Sequence, residues 1–167
     1  MLTDSLHNIP GVYVKRINGT SGLTTIRLRG ARSIDTKLLY NGLPLQDPSD
    51  PQGSANPLLG DMVMGGVKKL EVLNGASSTT WGSEAIGGVV NIVPKKGGDN
   101  EVKLTTEFGT FNSWMETAEV RTRELDLVLS RLDSRGFDAN DDYHNITGNL
   151  SYLFSPSDKL SMEVSGF

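Results

Sequence analysis

The chain has 167 residues and a mass of 18.1 kDa, which is room for one ordinary domain or for a small domain with part of a second attached. Sixteen Lys and Arg against twenty Asp and Glu give a formal net charge of -4, so we expect no general nucleic-acid-binding surface. No window approaches the roughly 18 consecutive apolar residues of a membrane-spanning helix, and the N-terminus lacks the pattern of a secretion signal. The absence of cysteine excludes disulfides, thiolate nucleophiles and cysteine metal sites.

Charge and glycine content both change near residue 98. Residues 1–98 hold ten Lys and Arg and seven Asp and Glu, whereas residues 99–167 hold six and thirteen. Most of the nineteen glycines lie before this junction. We therefore predict two segments, a turn-rich compact domain over residues 1–98 and a different structure over residues 99–167.

Short helices and strands are predicted for the first segment. A helix at the N-terminus must end at Pro10-Gly11, because proline and glycine both interrupt helices. Asn41-Gly42 is typical of a tight hairpin turn, and Pro44 in the returning strand predicts a sheet edge. Asn56-Pro57 is a favourable helix start and predicts a helix over residues 58–64. Strands are expected over residues 12–14, 24–30, 67–73 and 89–93.

Four motifs follow one another in the first segment. They are Ile26-Arg27-Leu28-Arg29-Gly30 and residues 38–42, 70–75 and 81–92. In this order and at these intervals they resemble the plug domain of TonB-dependent outer-membrane receptors, over nearly all of residues 5–96. The resemblance implies an α+β plug domain in the bacterial outer membrane. It also implies three partners, which are the TonB energy-coupling system, a siderophore or cobalamin-like ligand, and outer-membrane lipid.

The sequence departs from the family pattern at three points. Asn74 stands where the family usually has arginine, so Glu71 is expected to lack its usual charged partner. Trp81 replaces the usual tyrosine and keeps an aromatic side chain. The family's first plug strand and coupling box are not found before the first motif. The chain is therefore expected to be incomplete at its N-terminus.

Apolar and polar residues alternate in the second segment. Residues 145–154 place Ile146, Leu150, Tyr152 and Phe154 on one face and polar residues on the other. Ten such residues match a tilted strand that crosses a bilayer. Similar runs, with Val128 as an exception, occur over residues 102–108, 114–120, 125–130 and 160–165.

About five strands cannot close a membrane barrel, which needs at least about eight. We therefore predict the first four to five strands of an incomplete transmembrane β-barrel, whose remaining strands come from missing chain or from a second polypeptide. Aromatic residues near the predicted turns are placed as interfacial anchors would be. A soluble antiparallel sheet has the same periodicity, so a soluble binding or interaction module with a plug-like fold is the alternative.

Ligand contacts are expected in two polar loops that match the apical plug loops of siderophore and cobalamin receptors. Small polar side chains there can offer neutral hydrogen bonds to a bulky polar ligand. The candidate ligand residues are Ser21, Gly22, Leu23, Asp47, Ser49, Gln52, Ser54 and Asn56. A purely structural surface loop is the other interpretation. The resemblance also implies that Arg27, Arg29 and Glu71 contact the barrel, although Arg27, Arg29 and Arg32 could instead line a path for an anionic ligand.

Enzyme chemistry has little support in the sequence. His7 and His144 are the only histidines, and neither lies in a catalytic or metal-binding motif. Asp138, Asp141 and Asp142 cluster in a predicted loop without the glycine and distal glutamate of a calcium loop. A solvated extracellular loop is expected there, with calcium binding as the alternative. We predict no catalytic residue, no other metal site and no cofactor.

Overall fold

The computed structural model describes residues 1–17, 23–47, 50, 57–136, 138–157 and 160–166. Contacts divide the chain into two compact units. The first unit consists of Met1–Met62 and Lys68–Val93, and the second consists of Val63–Val67 and Pro94–Phe167. In the described ranges, no helix is both long enough and apolar enough to cross a membrane. The domain boundary near residue 98 stays a prediction.

The first unit begins with a short helix and a two-stranded antiparallel ribbon. Helix α1 (Leu2–His7) ends before Pro10, and strands β1 (Val12–Arg16) and β2 (Thr24–Leu28) follow it, as predicted. Val14 lies opposite Ile26 in the ribbon, and both are buried with Leu28 on the same face. The alternating pattern of the sequence therefore separates a core-facing side of the ribbon from an exposed side.

A four-stranded sheet forms the rest of the first unit's framework. A 3-10 helix of one turn (Ser33–Asp35) leads into β3 (Thr36–Tyr40). Strand β4 (Leu43–Pro44) pairs with β3 as a hairpin. The order is β4-β3-β6-β5, with β5 at Val67–Asn74 and β6 at Gly88–Pro94. Strands β3 and β6 are parallel and central, which explains why nearly all their residues are buried.

The hairpin at Asn41-Gly42 is confirmed. Both residues have positive φ, 51° and 80°, the geometry that a two-residue hairpin turn of this kind requires. Tyr40 pairs with Leu43 across it, and Pro44 lies in an edge strand as predicted.

The predicted helix over residues 58–64 is wrong. The structure has only a 3-10 turn at Pro57–Gly60. Beyond it the carbonyl of Met62 accepts a hydrogen bond of 3.0 Å from the backbone N–H of Leu2, and Met62 is buried. Packing against α1 therefore takes the chain out of a helical path.

A second short helix, α2 (Ser78–Trp81), was not predicted from the sequence. It ends at Gly82, whose φ of 92° suits glycine alone among the common residues. Trp81 packs against a cluster of Leu39, Ala85 and Val89. The aromatic ring at this position therefore helps to close the core over β3 and β6.

The second unit is built on a five-stranded antiparallel sheet. Its strands are β7 (Glu101–Gly109), β8 (Ser113–Arg121), β9 (Leu125–Ser134), β10 (Tyr143–Ser157) and β11 (Leu160–Gly166). They pair in sequence order, which leaves β7 and β11 as the two edges. The number of strands agrees with the prediction, and none of the described residues after 100 is helical.

Candidate functional site

Only two of the candidate ligand residues, Leu23 and Asp47, lie within the described residues. The carbonyl of Leu23 accepts a hydrogen bond of 3.0 Å from the N–H of Ile17, which closes the base of the connection between β1 and β2. The carbonyl of Asp47 accepts a hydrogen bond of 3.2 Å from the N–H of Asp50. Outside the described residues lie Ser21, Gly22, Ser49, Gln52, Ser54 and Asn56. The ligand site therefore stays a prediction.

Three arginines that the sequence analysis singled out have different surroundings. Arg27 is exposed on β2 opposite Tyr13 of β1, and Arg29 is exposed just after β2. Arg32 binds the carboxylate of Asp35 through two nitrogens, at 2.8 and 2.9 Å. These bonds lower the pKa of Asp35, chiefly through the hydrogen bonding itself, and raise that of Arg32. The exposure of Arg27 and Arg29 fits a contact with the barrel, which stays a prediction.

Glu71 has partners, contrary to the expectation drawn from Asn74. One Glu71 oxygen lies 2.5 Å from the ammonium of Lys69, and the other accepts a hydrogen bond of 2.8 Å from the side-chain amide of Asn91. These two bonds lower the pKa of Glu71, with Lys69 as the larger cause. Asn74 donates instead to the carbonyl of Pro10, at 3.4 Å. Two neighbours on β5 and β6 thus replace the expected arginine.

Asn91 is a structural residue that the sequence analysis missed. Its amide nitrogen donates to Glu71, while its side-chain oxygen accepts a hydrogen bond of 3.0 Å from the N–H of Gly42. It therefore ties the hairpin turn to β5 and β6. The one available signal was a lone amide inside the apolar run of residues 89–93.

An ion pair inside the first unit was also missed. Lys37 is the second residue of β3, has only 8% of its surface exposed, and pairs with Glu84 through a short hydrogen bond. A lysine this deeply buried needs a charged partner, because a charge without one is costly in a protein interior. Glu84 belongs to the fourth family motif, and this pairing gives its carboxylate a structural role.

One face of the sheet in the second unit is mainly apolar and the other mainly polar, as the alternation predicts. The apolar face also carries charged or titratable residues toward the end beside the turn between β7 and β8, namely Glu116, Arg131, Asp133 and His144. On the apolar face, Val102, Leu104, Phe108 and Ile146 expose between 75% and 79% of their surface. The strand register places further apolar side chains beside them, including Trp114, Leu125, Leu127, Leu129, Leu150, Tyr152, Phe154, Met162 and Val164. A continuous apolar surface on one side of a sheet is typical of contact with lipid or with another apolar surface.

Aromatic side chains lie near both ends of this apolar face. Phe108 pairs with Trp114 beside the turn between β7 and β8, and their rings meet edge to face with centroids 6.3 Å apart. Tyr152 and Phe154 lie toward the opposite end, where β10 pairs with β11. The arrangement matches the two interfacial girdles of membrane strands.

Ion pairs cover the polar face. Arg121 bridges Asp126 at 2.7 Å and Glu101 at 2.9 Å. Glu119 lies between two ammonium groups, those of Lys95 at 3.4 Å and Lys103 at 3.9 Å. A hydrogen bond of 3.0 Å joins the buried hydroxyls of Thr117 and Ser130. The face is thus polar, internally paired and partly buried.

No metal site is evident where calcium was considered. Asp138 accepts a hydrogen bond of 2.8 Å from the N–H of Ala139, and the N–H of Asp141 donates to the carbonyl of Asp138. In the part of the chain that the structure describes, no group of three or more His, Asp or Glu residues could hold a metal ion. Calcium binding by Asp138, Asp141 and Asp142 therefore finds no support in the geometry.

Comparison with known proteins identifies the family. A family model described as the TonB-dependent receptor plug domain matches residues 1–89. The chain belongs to this family. Its members are receptors and transporters, not enzymes, and they lie in the bacterial outer membrane.

One curated relative is the iron-regulated outer membrane virulence protein of Vibrio cholerae. It is 36% identical over 104 residues, which cover 57% of this chain and 15% of the relative. The chain therefore spans only a small part of the relative's length.

Two solved structures share the fold of nearly the whole chain. The copper transporter OprC superposes with a TM-score of 0.75 at 19% identity, covering 98% of this chain and 27% of its own. The pyoverdine receptor FpvA of Pseudomonas aeruginosa, bound to pyoverdine, gives 0.72 at 20% identity, covering 98% and 24%. At these identities the likeness establishes the fold: a plug followed by antiparallel strands.

Proposed function

We propose that this chain provides the plug and the first barrel strands of a receptor that takes up a siderophore-type metal chelate across the outer membrane. The observation that carries the proposal is the family match over residues 1–89. In this proposal residues 1–98 form the plug that gates the barrel. Residues 99–167 form strands of the barrel wall, with the apolar face toward lipid and the polar face toward the lumen.

Two comparisons favour a metal chelate as the ligand. The Vibrio cholerae relative is described as iron-regulated, and the P. aeruginosa neighbour was solved with pyoverdine bound. A cobalamin-like ligand is the alternative within the same class of receptor. The TonB energy-coupling system is the proposed partner, since the family is defined by its dependence on it.

Uptake assays test this function in the organism that carries the gene. Deleting the gene should abolish uptake of one radiolabelled ferric siderophore from a panel of hydroxamates, catecholates and mixed chelates. Deleting the TonB gene should abolish the same uptake. Unchanged uptake of every ferric siderophore would contradict the proposal, and loss of labelled cobalamin uptake alone would replace the siderophore by cobalamin.

We further propose that the ligand contacts Ser21, Gly22, Leu23, Asp47, Ser49, Gln52, Ser54 and Asn56. Replacing Ser21, Gln52 and Asn56 together by alanine should weaken binding by about 1 kcal/mol for each hydrogen bond lost. Thr25→Ala, on the exposed side of the same ribbon, is the matched control. Titrations of the triple variant that overlay those of the parent receptor would contradict the assignment.

A soluble interaction module remains the second candidate. It would have to keep the apolar face of the second unit in water, where side chains such as Leu104 and Phe108 are 79% and 78% exposed. Monomeric soluble proteins rarely expose a continuous apolar surface of this kind. Recovery of the receptor in the outer-membrane fraction rather than the soluble fraction distinguishes the two functions.

A further inference from the structure

A five-residue segment within the family-matched part of the chain belongs to the same compact unit as strands β7 to β11. Val63–Val67 belongs to the second unit, although the residues on both sides, up to Met62 and from Lys68, belong to the first. Its central residues, Gly65 and Gly66, lie against the polar face of the five-stranded sheet. This placement calls for a physical reason, because the segment is only five residues long.

The contact between the two glycines and Val128 is very close. A Cβ on Gly65 would lie 2.7 Å from Cγ1 of Val128, and one on Gly66 would lie 3.1 Å from Cγ2 of the same residue. Gly66 also has a φ of 74°, which disfavours any side chain. Glycine is therefore required at both positions for different reasons, lack of space at Gly65 and backbone conformation at Gly66.

Two hydrogen bonds hold the same turn on the sheet. The side-chain amide of Asn149 on β10 donates to the carbonyl of Gly65 at 3.3 Å. The backbone N–H of Lys95 donates to the carbonyl of Gly66 at 2.7 Å. Two consecutive carbonyls are thus bound by two separate segments of the second unit, which fixes both the position and the orientation of the turn.

The contact with this turn explains why an apolar residue stands at position 128. Val128 breaks the alternation of β9, since it lies on the polar face between its cross-strand neighbours Glu119 and Asn149. Nevertheless its side chain is fully buried. The valine therefore matches an apolar contact on a mainly polar surface, and Gly65 and Gly66 provide that contact.

We propose that Gly65 and Gly66 form a clasp, held by Val128 and Asn149, that keeps Val63–Val67 on the polar face when the first unit opens or rearranges. The backbone at residues 62–63, and the first residues of β5 on the other side of the turn, then serve as a pair of hinges. The clasp does not depend on which ligand the receptor takes up. It can be tested in the chain itself by hydrogen exchange.

The sharpest test enlarges the side chain at Gly65, reduces the one at Val128, and measures hydrogen exchange in each variant. Gly65→Ala places a methyl group 2.7 Å from Cγ1 of Val128, which is too close, so the amide of Lys95 should exchange at least about tenfold faster. Adding Val128→Ala removes the clashing methyl groups and should restore most of the protection. The control is Gly66→Ala, which should not be restored by Val128→Ala because its φ of 74° remains unfavourable.

A second experiment measures amide hydrogen exchange of the full chain in detergent at increasing, sub-denaturing urea concentrations. It shows whether Val63–Val67 unfolds together with the first unit or with the second. The amides of Val67 and Lys95 should open together with those of β8 to β10, and separately from those of β3 and β6. Opening together with β3 and β6 would overturn the proposal. Exchange in Gly65→Ala equal to that of the parent chain, or faster exchange spread equally over both units, would also overturn it.

Discussion

At the scale of single residues, Asn91 shows how one polar side chain can hold three elements together. Its two hydrogen bonds reach Glu71 on β5 and the turn at Gly42, while its own backbone lies in β6. Both bonds are made inside the first unit, where leaving the Gly42 N–H without an acceptor has a cost. The residue therefore supports the shape of the first unit.

Replacing Asn91 by alanine should lower the free energy of unfolding of the first unit by about 1–3 kcal/mol. The control is Thr25→Ala, whose hydroxyl makes only a long exposed hydrogen bond of 3.4 Å to the carbonyl of Lys15. Urea unfolding followed by circular dichroism measures both variants. Equal stability of the two would show that the Asn91 bonds contribute little.

Acid should weaken the first unit through Asp35 and Glu71. Both have a pKa below the ordinary value in the folded state, because Arg32 binds the first and Lys69 and Asn91 bind the second. Groups of this kind stabilise the fold above their unfolded pKa, about 4, and lose the contribution as the pH falls through the folded pKa.

Near neutral pH the free energy of unfolding of the parent chain should therefore be larger than that of the variants Asp35→Asn and Glu71→Gln. The difference between parent and variant should shrink as the pH approaches about 3. Asp99→Asn, at an exposed position, serves as the control. The measurement is the free energy of unfolding across this pH range. A difference that is constant, or that grows in acid, would contradict these roles for the two carboxylates.

At the scale of elements, the middle strands of the second unit have a mainly apolar face and a mainly polar face. Leu129 lies on the apolar face, in the middle of the sheet beside Ala118 and Gly148. Thr147 lies on the polar face of the neighbouring strand. The two positions therefore test which face meets lipid.

Leu129→Lys should destabilise the receptor in lipid by up to about 2–4 kcal/mol, the cost of a lysine on the lipid face at the bilayer midplane. Thr147→Lys should cost clearly less, since its ammonium would lie on the polar face. Unfolding of the whole receptor in liposomes measures both. An equal effect of the two substitutions would contradict the assignment of the faces.

The elements also show what could be predicted from the sequence and what could not. The alternation of β8 to β10 and the turn at Asn41-Gly42 are local signals, and the structure follows them. The helix predicted over residues 58–64 failed because the backbone of Met62 bonds to Leu2, a contact made across sixty residues. Val128 looked like an exception for the same reason, since only the folded chain brings Gly65 to it.

At the scale of the whole molecule, the first unit is suited to water and the second unit to an apolar environment. The first unit has its own core, including Leu6, Ile26, Leu39 and Ile92, all essentially buried. The second unit has an extensive exposed apolar face, and its edge strands β7 and β11 have no neighbour on one side among the described residues. Open edges and exposed apolar faces both promote aggregation in water.

A polypeptide that ends at Lys96 should accordingly be more soluble than the whole chain. It keeps the core of the first unit and removes all five strands of the second. Soluble yield after expression, compared at equal total expression, measures the difference. A lower soluble yield for the shorter polypeptide would mean that the first unit needs the strands in order to fold.

Sedimentation of all 167 residues, in plain buffer and in detergent, tests most directly whether this is a plug with membrane strands. We predict aggregates in plain buffer and a dispersed species in detergent, because the apolar face of the sheet then meets an apolar solvent. The contrary result is a compact monomer in plain buffer with amides protected throughout residues 101–164. That outcome would contradict the membrane assignment of the strands and favour a soluble module.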